Sequence, residues 1–363
     1  MRRQKKTGRV VGLEIEAGAI AAAEVDSARI TAAAIEPLAA GAFQEGEVTD
    51  VDLVAESLKS LFSQHKLAKQ VRLGIGNQRV VVRTLRLPAI EDPKELEAAV
   101  RFQAQEQIPM PLDQAVLEHQ VIGAAPGGED GPPQMDVVVV AARRDMVSRF
   151  IEPLRRAGLE PVGIDLSAFA MIRALAGVTD TAGGTAAPEE AATEETAGHG
   201  DAVLFCNLGD VMNLAVARGR SCLFTRVSMV GVEGIAARLA SETGLLPVHA
   251  SQWLTHVGLD RPLEQIEGDP QIVSRVRAAL QDGVGALVDE LRMSLDYYAA
   301  QESVVPVGRI VLCGAGSAIP GLAAAMESGV SLPIAAALPP AFAGFAEDAA
   351  ARLTLAYGLG LEN

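Results

Sequence analysis

The sequence predicts an α/β protein built as two similar halves around a cleft. Three observations point there. Residues 10–25, VVGLEIEAGAIAAAEV, read as strand, glycine turn and strand, and residues 202–219, AVLFCNLGDVMNLAVARG, repeat that layout. The runs MDVVVVAA (Met135 to Ala142) and RIVLCGAG (Arg309 to Gly316) lack polar interruption and read as buried strands. Between the halves, Gly177 to Asp201 is small and acidic, with no large apolar residue after Val178, and reads as a disordered linker.

The elements follow in order. The first strand pair turns through Ala17-Gly18-Ala19. Val71, Leu73 and Ile75 alternate, as do Val80, Val82 and Leu85, and Asn77-Gln78 between them reads as a hairpin turn. Gly74 and Gly76 match part of a dinucleotide fingerprint, but no third glycine and no helix follows directly. Asp92 is a helix cap, Pro93 fits the first helical position and Glu95 completes a capping box. Leu96, Val100 and Ala104 continue that helix until Pro109 and Pro111 end it. A strand runs from Ala115 to Ile122. After the Gly/Pro loop and the buried strand, Met146, Val147, Phe150, Ile151 and Leu154 share one helical face. Pro153 should kink or shorten that helix, and Gly158 ends it. A short strand to Ile164 leads into a helix over Ser167 to Leu175.

In the second half, Gly231 to Thr243 reads as a helix. From Pro270 to Glu302, apolar residues recur three and four apart, and Gly283 and Gly285 are expected to break this run into two helices. PGLAAAMES, from Pro320, opens another helix, and AARLTLAYGLGL, to Leu361, is the last.

Composition excludes several classes of function. The 363 residues carry 31 Lys+Arg against 46 Asp+Glu, a net charge of −15, which repels a polyanion such as nucleic acid. The basic cluster Arg2, Arg3, Lys5, Lys6 and Arg9 reads as a solvated terminus. The apolar stretch Val10 to Val25 carries Glu14, Glu16 and Glu24, too costly for a membrane span or a signal-peptide core. The three cysteines, Cys206, Cys222 and Cys313, fit reduced thiols in a cytoplasm.

Other chemistry finds little support. Of five histidines only His249 and His256 could share a helical face, about 10.5 Å apart by helical rise, so no metal site is expected. No serine sits in a Gly-x-Ser-x-Gly turn. Cys313 has no histidine near it in sequence and reads as a small buried thiol.

Longer segments carry a family resemblance. They are Val11 to Val25, Arg83 to Gly123 (with RLP, EL and QIP), Met135 to Leu175, Leu204 to Ala240, ELRMSLDYYAAQ from Glu290, and IVLCGAGSAIPGL from Ile310. Together they resemble the PilM family, the actin-like cytoplasmic proteins of type IV pilus assembly. The resemblance implies an actin-like α/β fold of the actin/Hsp70/sugar-kinase superfamily, with an inserted small subdomain as in FtsA. The implied division is 1–84 with 153–178 as the first large subdomain and 85–152 as the inserted one. The linker is 179–200, the second large subdomain is 201–225 with 303–363, and a mostly helical small subdomain is 226–302.

The superfamily holds ATP between two hairpin turns and an adenosine turn. Backbone N–H groups and a lysine approach the phosphates, and an aspartate organises Mg²⁺ and water. The first hairpin of such proteins reads roughly Asp-Ile-Gly-Ser, with a lysine five residues after the glycine. Here the match is Glu14-Ile15-Glu16-Ala17, with Ala21 at the lysine position. At ~4 Å and an effective dielectric of about 20, two like charges repel by about 4 kcal/mol, which Glu16 would impose on a phosphate. Gly18 offers a turn two residues late. The second hairpin, Asp-Ile-Gly in such proteins, is Asn207-Leu208-Gly209 followed by Asp210, and the adenosine turn is Gly314-Ala315-Gly316. Any nucleotide would therefore meet Glu14, Gly18, Asn207, Gly209, Gly314 and Gly316. The expectation is a degenerate site with no cofactor and no catalytic residue, with ATP and Mg²⁺ as the alternative.

The expected function is a cytoplasmic scaffold at the inner face of the cell membrane, not an enzyme, held there through partners. By resemblance, its partner is the cytoplasmic tail of a PilN-like membrane protein within the pilus assembly platform. That tail would dock near the inserted subdomain through a strand edge and apolar pockets, with Phe102, Ile108 and Met110 as the residues to test; core packing of that subdomain is the other reading of them. The alternative function is an ATP-binding switch or weak ATPase of the same machinery, with Glu14 near Mg²⁺. A sugar kinase would need a catalytic aspartate and polar sugar-binding residues, and no such set is evident.

Overall fold

The computed structural model describes residues 9–125, 133–179, 201–301 and 304–361. Residues 180–200, most of the expected linker, lie outside the described residues, as do Arg2, Arg3, Lys5 and Lys6. The chain divides into two compact units, Met1–Gly76 with Pro153–Asn363, and Asn77–Glu152.

The first unit opens with an antiparallel meander of β1 (Val10–Glu16), β2 (Ala19–Asp26) and β3 (Arg29–Pro37). A short hairpin follows, β4 (Phe43–Gln44) with β5 (Glu47–Val48). Helix α1 (Val51–His65) begins where the Asp50 side chain accepts the Asp52 and Leu53 N–H groups, and ends where Lys66 turns left-handed. Strand β6 (Gln70–Ile75) then pairs parallel to β1.

The chain next builds the second unit: β7 (Val80–Pro88), α2 (Pro93–Gln107), β8 (Ala115–Ala125), β9 (Gln134–Arg143) and most of α3 (Arg144–Arg156). Its sheet has the order β7-β9-β8. The expected cap is present: Asp92 accepts the Lys94 and Glu95 N–H groups at 2.8 and 3.1 Å. Leu96, Val100, Ala104 and Ile108 pack on Leu85, Leu87, Val137 and Val139 to form this unit's own core. It begins at Asn77, eight residues before the expected 85.

Back in the first unit, β10 (Glu160–Leu166) pairs parallel to β6, and α4 (Ser167–Thr179) follows. The second sheet starts with the meander β11 (Ala202–Leu208), β12 (Met212–Arg218) and β13 (Ser221–Ser228). Helices α5 (Val232–Thr243), α6 (Pro247–Val257) and α7 (Pro270–Ala299) come next. Strand β14 (Val307–Cys313) pairs parallel to β11; after α8 (Leu322–Glu327), β15 (Ile334–Ala336) pairs parallel to β14. Helix α9 (Glu347–Gly360) closes the chain. The sheet orders β3-β2-β1-β6-β10 and β13-β12-β11-β14-β15 match strand for strand, so the duplication legible in the sequence is structural.

Small residues set the packing between the sheets. Ala21 and Ala23 of β2, Met171 and Leu175 of α4, Ala215 of β12, and Leu353 and Ala356 of α9 form one buried cluster. Arg72 on β6 closes the end of α9, donating to the Leu359 and Leu361 carbonyls at 2.9 and 2.7 Å, where a cation also meets the negative helix end.

Three local expectations are corrected. Asn77-Gln78 does not close a hairpin: β6 pairs with β1 and β10, while β7 pairs with β9 in the other unit. The Asn77 Oδ1 accepts the Arg79 N–H at 2.7 Å, a local turn that redirects the chain without folding the strand back on its predecessor. The run from Pro270 is one continuous helix through both glycines. A Cβ on Gly283 would lie 2.3 Å from Ile235 Cδ1, so this glycine lets α7 close on α5, and burial outweighs its weak helix propensity of about 1 kcal/mol. Helix α3 passes Pro153 and continues to Arg156, so the proline does not cut it short.

Candidate functional site: two facing hairpin turns

The turn between β1 and β2 meets the turn between β11 and β12. The Ala17 N–H donates to Asp210 Oδ2 at 3.2 Å, and the Val211 N–H to Asp210 Oδ1 at 2.9 Å. In the reverse direction, Asn207 Nδ2 donates to Glu16 Oε1 at 3.1 Å. Gly209 makes this approach possible, since a Cβ there would stand 2.3 Å from Glu16 Oε1. Behind them Gly314 has φ +80 and lies against Asn207, where a Cβ would fall 2.3 Å from Oδ1.

Of the six predicted nucleotide-contacting residues, Asn207, Gly209 and Gly314 therefore meet around Glu16. Gly18 faces Glu233 instead, and Gly316 packs on Leu208 and Val232 as part of the support of the turn. Glu14 is buried beside Ser167, whose hydroxyl donates to Oε1 at 2.7 Å. Its Oε2 has no hydrogen-bond partner among the described residues and sits in room left by Gly74, where a Cβ would lie 2.0 Å away. Ala21, at the position of the superfamily lysine, is buried between the sheets.

Three elements missed in the sequence complete the cluster. Glu233, in the first turn of α5, accepts from Arg352 of α9 at 3.2 Å and from Ser251 of α6 at 2.8 Å. Ser167 opens α4. Arg352 is the one basic residue of α9, followed by a largely apolar stretch, and that is its signal in the sequence. Glu14, Glu16, Asp210 and Glu233 thus share one region, with Arg352 as the cation set against them.

Electrostatics follow from that crowding. Burial pushes Glu14 well above the usual carboxylate range, the charges of Glu16 and Asp210 push it further, and only the Ser167 hydrogen bond pulls it back. Burial also raises Glu16, against the pull of Arg352 and Asn207. Asp210 is pushed up to about 7, first by burial and then by the Glu16 charge. Replacing Arg352 with alanine is expected to cost about 1.5–3 kcal/mol at neutral pH, because Glu233 and Glu16 lose their counter-charge; the midpoint of urea unfolding measures it.

Among the described residues, no group of three or more His, Cys, Asp or Glu is placed to hold a metal ion. His256 accepts a structural role: its Nε2 lies 2.8 Å from the Glu267 carbonyl, and its ring meets Trp253 edge-on at 5.3 Å.

The family model for type IV pilus assembly protein PilM matches residues 12–256. The chain belongs to the PilM family. Its fold is actin-like. It is similar to a solved PilM-PilN type IV pilus biogenesis complex, at 24% identity over 97% of this chain and 98% of that one, with a TM-score of 0.75. It is also similar to the ethanolamine utilization protein EutJ from Carboxydothermus hydrogenoformans, at 11% identity over 98% and 90% of the two chains, TM-score 0.52. The MreB5 of Spiroplasma citri bound to ADP matches at 12% identity over 98% and 95%, TM-score 0.50.

In this PilM-family chain the three residues singled out for partner binding separate. Phe102 is 71% exposed on the outer face of α2. Met110 is half-buried against the core of its unit. Ile108 is 5% exposed within that core, so it offers no surface, which corrects the expectation for that residue. Hydrophobicity near a helix end could not separate these cases, because the covering sheet comes from β7 and β9. Strand β8, legible in the sequence over Ala115 to Ile122, lies at an edge of its sheet, and its Val121 and Ile122 are 44% and 39% exposed.

Proposed function

We propose that this chain is a scaffold of the type IV pilus assembly platform that docks the cytoplasmic tail of a PilN-like membrane protein and does not use ATP. Family membership supports the pilus role. The observation that carries the rest is the filling of the cleft: Glu16 and Asp210 take the polar donors of the facing turns. Mg²⁺-ATP does not fit such a lining, because its phosphates would meet carboxylates and Ala21 stands where the superfamily has its lysine. Catalysis is accordingly absent, and the chain is not an enzyme.

The tail docks on the small unit. Phe102 supplies an exposed aromatic anchor, and the free edge of β8 with Val121 and Ile122 suits an extended peptide. The protein works at the inner face of the cell membrane and is held there by its partners; no helix among the described residues is long and apolar enough to cross a membrane.

One observation favours the second reading, an ATP-binding switch: the unpartnered, buried Glu14 Oε2 could face a cation. Burial, however, favours the neutral form of that carboxyl, which weakens it as a Mg²⁺ ligand. Isothermal titration of the full chain with a synthetic PilN tail peptide tests the proposal. Saturable 1:1 binding is expected, and no heat beyond dilution contradicts it.

A further inference from the structure

We infer that Asp210 and Glu16 are the resident occupants of the cleft, clasping the two turns together where a ligand would otherwise bridge them. The inference rests on the reading that no nucleotide phosphate enters here.

A turn N–H that faces a cleft is a docking point for an anion. In this chain that donor is already used. The Ala17 N–H is taken by a carboxyl from the opposite turn, 193 residues further along the sequence. The exchange is reciprocal, since Asn207 on the second hairpin donates to Glu16 on the first. Each hairpin thus supplies a donor and a carboxyl acceptor to the other. Gly209 is the fitted part, because any side chain there would displace the Glu16 carboxyl.

A strap lies beside the clasp. Arg352 of α9 holds Glu233 of α5, the Ser251 hydroxyl holds the other oxygen of Glu233, and the Arg352 charge also reaches Glu16. Repulsion among Glu14, Glu16, Asp210 and Glu233 works against this closure. The hydrogen bonds from Ala17, Val211, Asn207 and Ser167, together with Arg352, offset it. The arrangement gives the scaffold a fixed shape without a ligand, so its partner-binding surfaces would not depend on nucleotide supply.

Hydrogen exchange of the full chain, read by mass spectrometry without nucleotide, tests the clasp. Asp210→Ala removes both acceptor oxygens, and exchange over residues 15–19 and 207–212 is expected to rise at least about tenfold, since the Ala17 and Val211 N–H groups both lose their partner. Asp210→Asn keeps one oxygen, enough for the Ala17 N–H across the turns, and should retain wild-type protection over residues 15–19. Peptides from Asn77–Glu152 should be unchanged in both variants, which separates clasp opening from unfolding. If Asp210→Ala does not fold, Glu16→Ala against Glu16→Gln poses the same question through Asn207. Wild-type protection in the alanine variant, or equal loss in the alanine and amide variants, overturns the inference. ATP binding by the wild type, measured separately, would instead overturn the scaffold reading.

Discussion

Asp210→Asn is expected to flatten the dependence of stability on pH. In the wild type, Asp210 titrates at about 7 in the folded protein against 3.8 for an ordinary aspartate, so the folded state binds more protons between those values. Stability therefore falls as pH rises from about 4 to 7, and levels off above. Glu14 and Glu16, also raised, act in the same direction. The charged groups acting on Asp210 are Glu16, Glu14 and Glu233, with the Ala17 and Val211 N–H groups on its oxygens. An asparagine keeps one of the two acceptor oxygens and carries no proton to lose. Allowing for its partial exposure, the variant should be more stable than the wild type by about 1–2 kcal/mol at pH 8, with the difference closing near pH 4. Thermal melts across that range measure it, and parallel curves for the two proteins would contradict the assignment.

The second large effect separates two neighbours in the small unit. Ile108→Ala opens a cavity in the core beside Leu96, Val100 and Val137, and should cost about 2–5 kcal/mol of that unit's stability. Phe102→Ala removes an exposed ring, so stability should stay within about 0.5 kcal/mol of wild type. Its effect should appear in tail binding, as a loss of about thirtyfold or more if the ring is a hot spot worth about 2 kcal/mol. Urea unfolding and peptide titration on the same two variants measure both. A Phe102→Ala protein that binds the tail as the wild type does would remove α2 from the docking surface.

What was legible in the sequence depended on how local the cause was. The paired hairpins were visible because strand alternation and a glycine turn lie within about sixteen residues of each other, and the Asp92 cap because its partners are two and three residues away. The one-piece helix α7 was not, because the reason Gly283 is tolerated is Ile235 on another helix. The same holds in the cleft. Glu16 stood out as an anion where the superfamily has glycine, but its partners Asn207 and Arg352, and the opposing charge of Glu233, come from β11, α9 and α5. Only the closed fold shows that the first turn's N–H is spent on Asp210.

Titrating the wild-type full chain with ATP and Mg²⁺ by calorimetry tests the central claim most directly. A cleft filled by Glu16 and Asp210 predicts no binding heat and no change in melting temperature at millimolar nucleotide. Micromolar, Mg²⁺-dependent binding would contradict it and make a nucleotide switch the better account of this protein.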